Sequence, residues 1–125
     1  MKSFKEFLTE EITFDKPGFH TFKHGKATIQ YGVPRKESQH KHIELTSIRV
    51  PQKHRKQGHA DAAMNEFVKK LDAEGRDSKL AASPLDNKSP SSKRLMQFYS
   101  KHGYEETDEK VNYQGDKFMF RKHKK

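Results

Sequence analysis

The sequence predicts a single α/β domain (α+β) with a mixed, mostly antiparallel central sheet and a βαβ core, shortened at its N-terminus. Three observations carry this. Strand-like alternation dominates up to Val50, helix periodicity takes over from Gly58, and strand-like runs return after Gly103. The run richest in β-branched residues, His42 to Val50, is followed by an amphipathic segment and a second short apolar run. Those two strands are therefore expected to pair in parallel through a crossover. The length of 125 residues is that of one domain, with no internal repeat to divide it.

Met1 to Glu11 reads as a short amphipathic helix with Phe4, Phe7 and Leu8 at helical spacing, ended by the turn chemistry of Asp15-Lys16-Pro17-Gly18. Phe19 to Lys23 and Lys26 to Val33 read as a hairpin around His24-Gly25. Pro34 to Lys41 is a polar loop before the strand His42 to Val50, which Pro51 closes. In the next segment Ala60, Ala63, Met64, Phe67, Val68 and Leu71 form one apolar stripe, with Gly75 just beyond it. Lys79 to Ser83 is a short strand and Pro84 to Pro90 a loop. Ser91 to His102 is a second helix, with Leu95, Phe98, Tyr99 and His102 on one side and Gly103 as its stop. Tyr104 to Tyr113 and Asp116 to Arg121 are two closing strands joined at Gln114-Gly115.

Composition excludes several classes of protein. There is no cysteine, so disulfide scaffolds, cysteine-based zinc sites and thiol chemistry are out. No apolar run could span a membrane as a helix, and the N-terminus lacks the apolar core of a secretory signal, so a cytoplasmic protein is expected. Lys and Arg number 26 against 17 Asp and Glu, a formal net charge of +9. Such an excess attracts polyanions: nucleic acid, a phosphate-rich cofactor or an acidic protein surface.

The most informative stretch runs from Val50 to Ala60: a strand ends, a basic loop follows, and a helix opens at Gly58. A helix N-terminus offers unpaired N–H groups and the positive end of its dipole to an anion, and glycine lets a phosphate approach the backbone. Arg55-x-x-Gly58-x-Ala60 resembles the pyrophosphate-binding signature of the GCN5-related N-acetyltransferase (GNAT) superfamily, Gln/Arg-x-x-Gly-x-Gly/Ala. The later run Phe98-Tyr99-Ser100-Lys101-His102-Gly103-Tyr104 resembles that family's Phe/Leu-Tyr-x-x-x-Gly-Phe/Tyr. Both lie in the family's order, separated by one helix and one strand, and the resemblance covers Ile43 to about Glu106.

The resemblance implies acetyl-CoA as donor, a primary amine as acceptor, and direct attack in a ternary complex, with no metal. It implies that Arg55, Lys56, Gln57, Gly58, His59 and Ala60 hold the pyrophosphate, the backbone of His59 mattering more than its ring. The backbone of Ile48, Arg49 and Val50 would pair with the pantetheine arm and supply an oxyanion donor. Tyr99 is the candidate general acid for the thiolate leaving group, although it also fits an ordinary buried stripe. Glu44, eleven residues before Arg55, is the candidate base, at the offset of the strand glutamate of histone-type members. A solvated surface glutamate is the alternative. Where many relatives have a cofactor-touching asparagine, seven residues before the tyrosine, this chain has Ser92, which could substitute or simply cap the helix.

Only 41 residues precede Ile43's strand region, and they show little helical signal after Glu11. In the family two N-terminal helices shape the acceptor pocket, so the acceptor side is expected to be open or completed by a partner chain; a homodimer and a host protein acceptor are both left open. His40 and His42 are spaced to share a metal but lack a third ligand, so they read as surface. Residues 1–10 also resemble the capsid-targeting leader of internal head proteins of large contractile-tailed phages. In such leaders a prohead protease cuts after Leu/Ile-x-Glu, here Leu8-Thr9-Glu10, leaving 11–125 as the domain; the enzyme would then be packaged in a phage head and delivered to the host cytoplasm. The competing functional class is a non-catalytic module of the same fold whose basic surface binds nucleic acid or an acidic protein.

Overall fold

A computed structural model describes residues 12–39, 41–54, 57–82, 92–110 and 117–124. The expected leader helix, the loop around 84–90 and the turn at Gln114-Gly115 lie outside them. Six strands form one sheet: β1 (Gly18–His24), β2 (Ala27–Val33), β3 (Ile43–Arg49), β4 (Ser78–Ala81), β5 (Glu105–Lys110) and β6 (Lys117–Arg121). The order across the sheet is β1-β2-β3-β4-β6-β5. Only β3 and β4 are parallel, joined by helix α1 (His59–Glu74); every other neighbouring pair is antiparallel. The predicted fold class and crossover are both present. Helix α2 (Ser92–Ser100) follows β4.

Period-2 alternation sorts the strands into two faces. Ala27, Ile29, Tyr31 and Val33 of β2, with Ile43 and Leu45 of β3 and Leu80 and Met119 beyond, are buried on one face. Against them α1 lays Ala63, Met64, Phe67 and Leu71, all fully buried. Ala60 and Val68, expected in the same stripe, are half-buried because they sit on its flanks. Phe14, from the segment before β1, packs edge-on to Tyr31 and Phe67 with ring centroids 5.7 and 5.8 Å away. No helix among the described residues is long and apolar enough to cross a membrane.

Helix α2 ends earlier than the expected His102. The chain tightens at Tyr99, whose carbonyl accepts the N–H groups of His102 (2.9 Å) and Tyr104 (3.2 Å). Gly103 then turns the chain at φ 92°, in the left-handed region that disfavours a side chain. Tyr104 consequently enters the core rather than β5: it is buried, and its hydroxyl donates to the buried Ser78 Oγ at 2.7 Å. Since Ser78 is on the α1 side of β4, Tyr104 and the end of α2 are on that side too. His102 confirms it, contacting Asp61 of α1 at 3.0 Å.

The opposite face carries no helix among the described residues. A single transverse row crosses it from edge to edge through Phe19, Gly32, Glu44, Lys79, Phe120 and Glu105, each paired with the next. Phe19 is 84% exposed there, its ring placed beside Gly32.

Candidate functional site

The site begins as an irregularity in β3. Its pairing with β2 runs Gln30 to Ser47 and then Tyr31 to Leu45, so Thr46 is an extra residue, a β-bulge. The Thr46 hydroxyl donates to the Gln30 carbonyl at 2.8 Å, satisfying an acceptor the bulge displaces. On the other side of β3, pairing with β4 covers Ile43, Glu44 and Leu45 and stops there. Beyond the bulge β3 is no longer paired with β4, leaving the Ser47–Arg49 backbone on that edge without a β4 ladder. Backbone amides in such a position are obligatory hydrogen-bonding groups, suited to an extended ligand lying strand-like beside them.

After β3 the chain makes one 3₁₀ turn at Gln52–His54 and reaches Gly58. Gly58 has φ 83° and ψ 5°, and no side chain caps the helix it opens. The first α1 bond from the cap is the Ala62 N–H to the Gly58 carbonyl at 3.0 Å. The N–H groups of His59, Ala60 and Asp61 thus have no intrahelical acceptor. A Cβ at Gly58 would meet nothing within 4 Å, so the backbone there fronts open space. The donor set and the room fit a pyrophosphate. Gln57 is exposed and His59 and Ala60 half-buried; Arg55 and Lys56 lie outside the described residues.

The His59 ring has a task that the sequence reading overlooked. Its Nδ1 accepts the Lys26 N–H at 3.4 Å, and its Nε2 lies 3.3 Å from Gln57 Oε1. It fastens the glycine loop to the β1–β2 turn. His42 packs edge-on to Phe120 at 6.3 Å, and His40 lies outside the described residues.

Tyr99 is buried beside Phe98 and Tyr104, with ring centroids 5.3 and 5.9 Å away. Burial pushes its phenol up to about 12. Ser92 is the first residue of α2. Glu44 is exposed on the helix-free face, directly across from Lys79, whose ammonium instead contacts Glu109 at 2.8 Å. Glu44 and Tyr99 therefore occupy opposite sides of the sheet, with the opening between β3 and β4 lying beyond Leu45. Ile48 and Val50 are half-buried and Arg49 is exposed.

The overall fold recurs in solved structures. The anti-CRISPR protein AcrVA5 superposes with a TM-score of 0.63 at 18% identity, over 82% of this chain and 97% of that one. The ribosomal-protein-S18-alanine N-acetyltransferase from Escherichia coli gives 0.61 at 15% identity, over 98% of this chain and 78% of the enzyme. The fold is that of the GNAT acetyltransferases. Arabidopsis thaliana Naa50, in complex with the bisubstrate analogue CoA-Ac-MVNAL, gives 0.52 at 17% identity, over 75% of this chain and 62% of Naa50. By sequence the chain matches no protein-family profile and no curated protein.

Within this GNAT fold, three features escaped the sequence reading. The Thr46 bulge has no residue signature. The His59 latch depends on a contact between segments 33 residues apart. Arg121 did leave a signal, since alternation through Lys117-Phe118-Met119-Phe120-Arg121 puts it on the same face as the buried Met119.

Proposed function

We propose that this chain is an acetyl-CoA-dependent N-acetyltransferase acting on a primary amine by direct attack in a ternary complex. The observation that carries the reading is the parting of β3 from β4 at the Thr46 bulge, just before a helix start opened by Gly58. Acetyl-CoA supplies the activated acetyl thioester. The backbone from Gln57 to Ala60 holds its pyrophosphate, with Arg55 and Lys56 adding charge and Ser92 standing at the head of α2. The edge at Ile48, Arg49 and Val50 pairs with the pantetheine arm, and an N–H there polarises the thioester carbonyl.

Glu44 takes the proton of the attacking ammonium from the helix-free face, directly or through a water. Tyr99 acts from the helix side. With its phenol near 12 it keeps its proton throughout the neutral range. Full transfer to a thiolate of ordinary pKa about 8.5 would be uphill by about 5 kcal/mol. Tyr99 therefore serves as a hydrogen-bond donor to the developing thiolate rather than an acid that gives up its proton outright.

The acceptor is a protein lysine or N-terminus in preference to a small amine. Small-molecule sites enclose their ligands, whereas the face around Glu44 is unwalled among the described residues. A host protein as acceptor belongs to the same proposal. Residues 1–10 belong to the same proposal as a capsid-targeting leader; mass spectrometry of protein recovered from virions should find a chain beginning at Glu11, and an uncut chain would remove it.

The deciding experiment is calorimetric titration with acetyl-CoA beside a Gly58→Glu variant. Saturable binding, lost when a carboxylate fills the open space at Gly58, is the expected result. No heat and no rise in melting temperature at millimolar donor would leave a GNAT fold without its donor and favour the binding-module reading.

A further inference from the structure

A second feature lies at the other end of the sheet, where β2 ends and β3 and β4 begin. A cavity of about 230 Å³ opens there, bounded by Pro17 and Pro34 and by Arg35, Lys36, Lys41 and Arg76. Asp15 is the one carboxylate in its lining. Arg76, half-buried, is fixed by donating from Nη1 to the Phe14 carbonyl at 3.1 Å and from Nη2 to the Lys41 carbonyl at 3.3 Å. Lys41 Nζ in turn donates to the Lys36 carbonyl. None of these four cations is ion-paired among the described residues, whose salt bridges all lie elsewhere.

We propose that this cavity seats a backbone phosphate of a nucleic acid, as a docking site separate from the cleft at Gly58. Carbonyls hold the guanidinium without neutralising it, so its charge and fork geometry stay available to a phosphate. The lining carries four cations against one carboxylate, and the two prolines stiffen its rim. Two further lysines stand at this end of the sheet, beside the carboxylates of Asp77 and Asp72, which the paired Arg121 and His123 also face. Lys122 and Lys124 are exposed and follow Arg121, which pairs with Ser78 at this same end of the sheet. A single small anion needs no such extension, whereas a polymer with a phosphate at every residue uses it. Seven residues of β3 separate this end from the Gly58 end, roughly 20 Å at strand rise. A nucleic acid bound here leaves the cleft free. The inference does not depend on acetyl transfer.

The test is fluorescence anisotropy with a labelled 15-nucleotide single strand over a salt series. The wild type is compared with Arg35→Glu/Lys36→Glu and with the charge-matched Lys69→Glu/Lys70→Glu on the outward side of α1. Circular dichroism and the milder Arg35→Ala/Lys36→Ala variant guard against misfolding. Expected is a loss of affinity of at least tenfold in the cavity variant, less than threefold in the α1 variant, and a salt slope shallower by about 1.4 for two lost contacts. Equal losses in both would reduce the binding to diffuse charge and overturn the site. Displacement by polyglutamate as effective as by unlabelled strand would reassign it to acidic proteins. Displacement by low-millimolar inorganic phosphate, but not by chloride of equal ionic strength, would make it a small-anion site; either result overturns the proposal.

Discussion

Arg121 grips Asp72 with both arms of its guanidinium, Nη1 to Oδ1 at 2.8 Å and Nη2 to Oδ2 at 3.0 Å. Its Nε donates at 2.7 Å to the His102 carbonyl. One buried side chain on β6 thereby joins the last turns of α1 to the chain leaving α2. Arg121→Ala should strip this pairing, leaving the His102 carbonyl without this donor and the Asp72 carboxylate with the Lys124 N–H in place of the guanidinium. The expected loss is about 3 kcal/mol, since removing one member of a buried pair typically costs 3–5 and Asp72 keeps some access to water. Urea unfolding measures it; a loss under 1 kcal/mol would show that the pair contributes little.

Acid should undo the same end of the molecule. The Arg121 hydrogen bond holds Asp72 below its ordinary 3.8, helped by the Lys124 N–H, against the opposing effect of burial. At Asp77 burial is the largest influence and pushes upward, but the His123 backbone N–H and ring together outweigh it and the pKa is again lowered. Carboxylates depressed in the folded state stabilise it fully above the unfolded value, and that stability is lost as pH falls through their folded values. Stability should therefore drop below about pH 4, and Asp72→Asn/Asp77→Asn should flatten that drop in urea midpoints taken at pH 7 and pH 3. A double variant with an unaltered acid limb would sink the assignment.

Two glycines with positive φ should respond differently to alanine. At Gly58 a Cβ meets open space, so only backbone strain of about 1 kcal/mol is expected. At Gly103 the Cβ would sit 3.0 Å from Arg121 Nε, so strain is joined by displacement of the clamp. Gly103→Ala should cost at least 2 kcal/mol, roughly the strain plus one charged hydrogen bond. Equal costs in thermal denaturation would contradict the packing described.

Tyr99→Phe should lower kcat by about tenfold to a hundredfold with little change in KM for acetyl-CoA, as expected for a donor that acts only as the thiolate develops. Because burial lifts the phenol to about 12, no alkaline limb from Tyr99 should enter the rate profile below pH 10. Unchanged turnover in the variant would leave Tyr99 as a core residue.

Glu44→Gln should leave stability within 0.5 kcal/mol or so, as surface changes usually do, while flattening the rise of rate with pH. A profile that keeps its shape would remove Glu44 as the base.

Much of this was readable from short-range pattern. The β-branched run of β3 and the stripe Ala63, Met64, Phe67 and Leu71 marked the crossover, because burial on one face dictates their spacing. Gly58 and Tyr99 were found through their motifs. What stayed hidden depends on distant partners. Nothing near Thr46 announces a bulge, since it is defined by register against β2. The early end of α2 depends on Tyr104 finding Ser78, 26 residues away. Arg121 was read as the end of a strand, but its alternation with Met119, which points inward, was not followed to a buried arginine.

Among the described strands the last in chain order is not an edge of the sheet. β6 inserts between β4 and β5, and its final residue closes the clamp on Asp72. Until β6 is in place, β4 has no neighbour on that side and Asp72 of α1 lacks its arginine. Completing the sheet therefore waits on long-range pairing, which is slow and leaves a half-made sheet open to other chains. Premature stops near residue 117 should therefore give aggregates instead of a shorter folded domain.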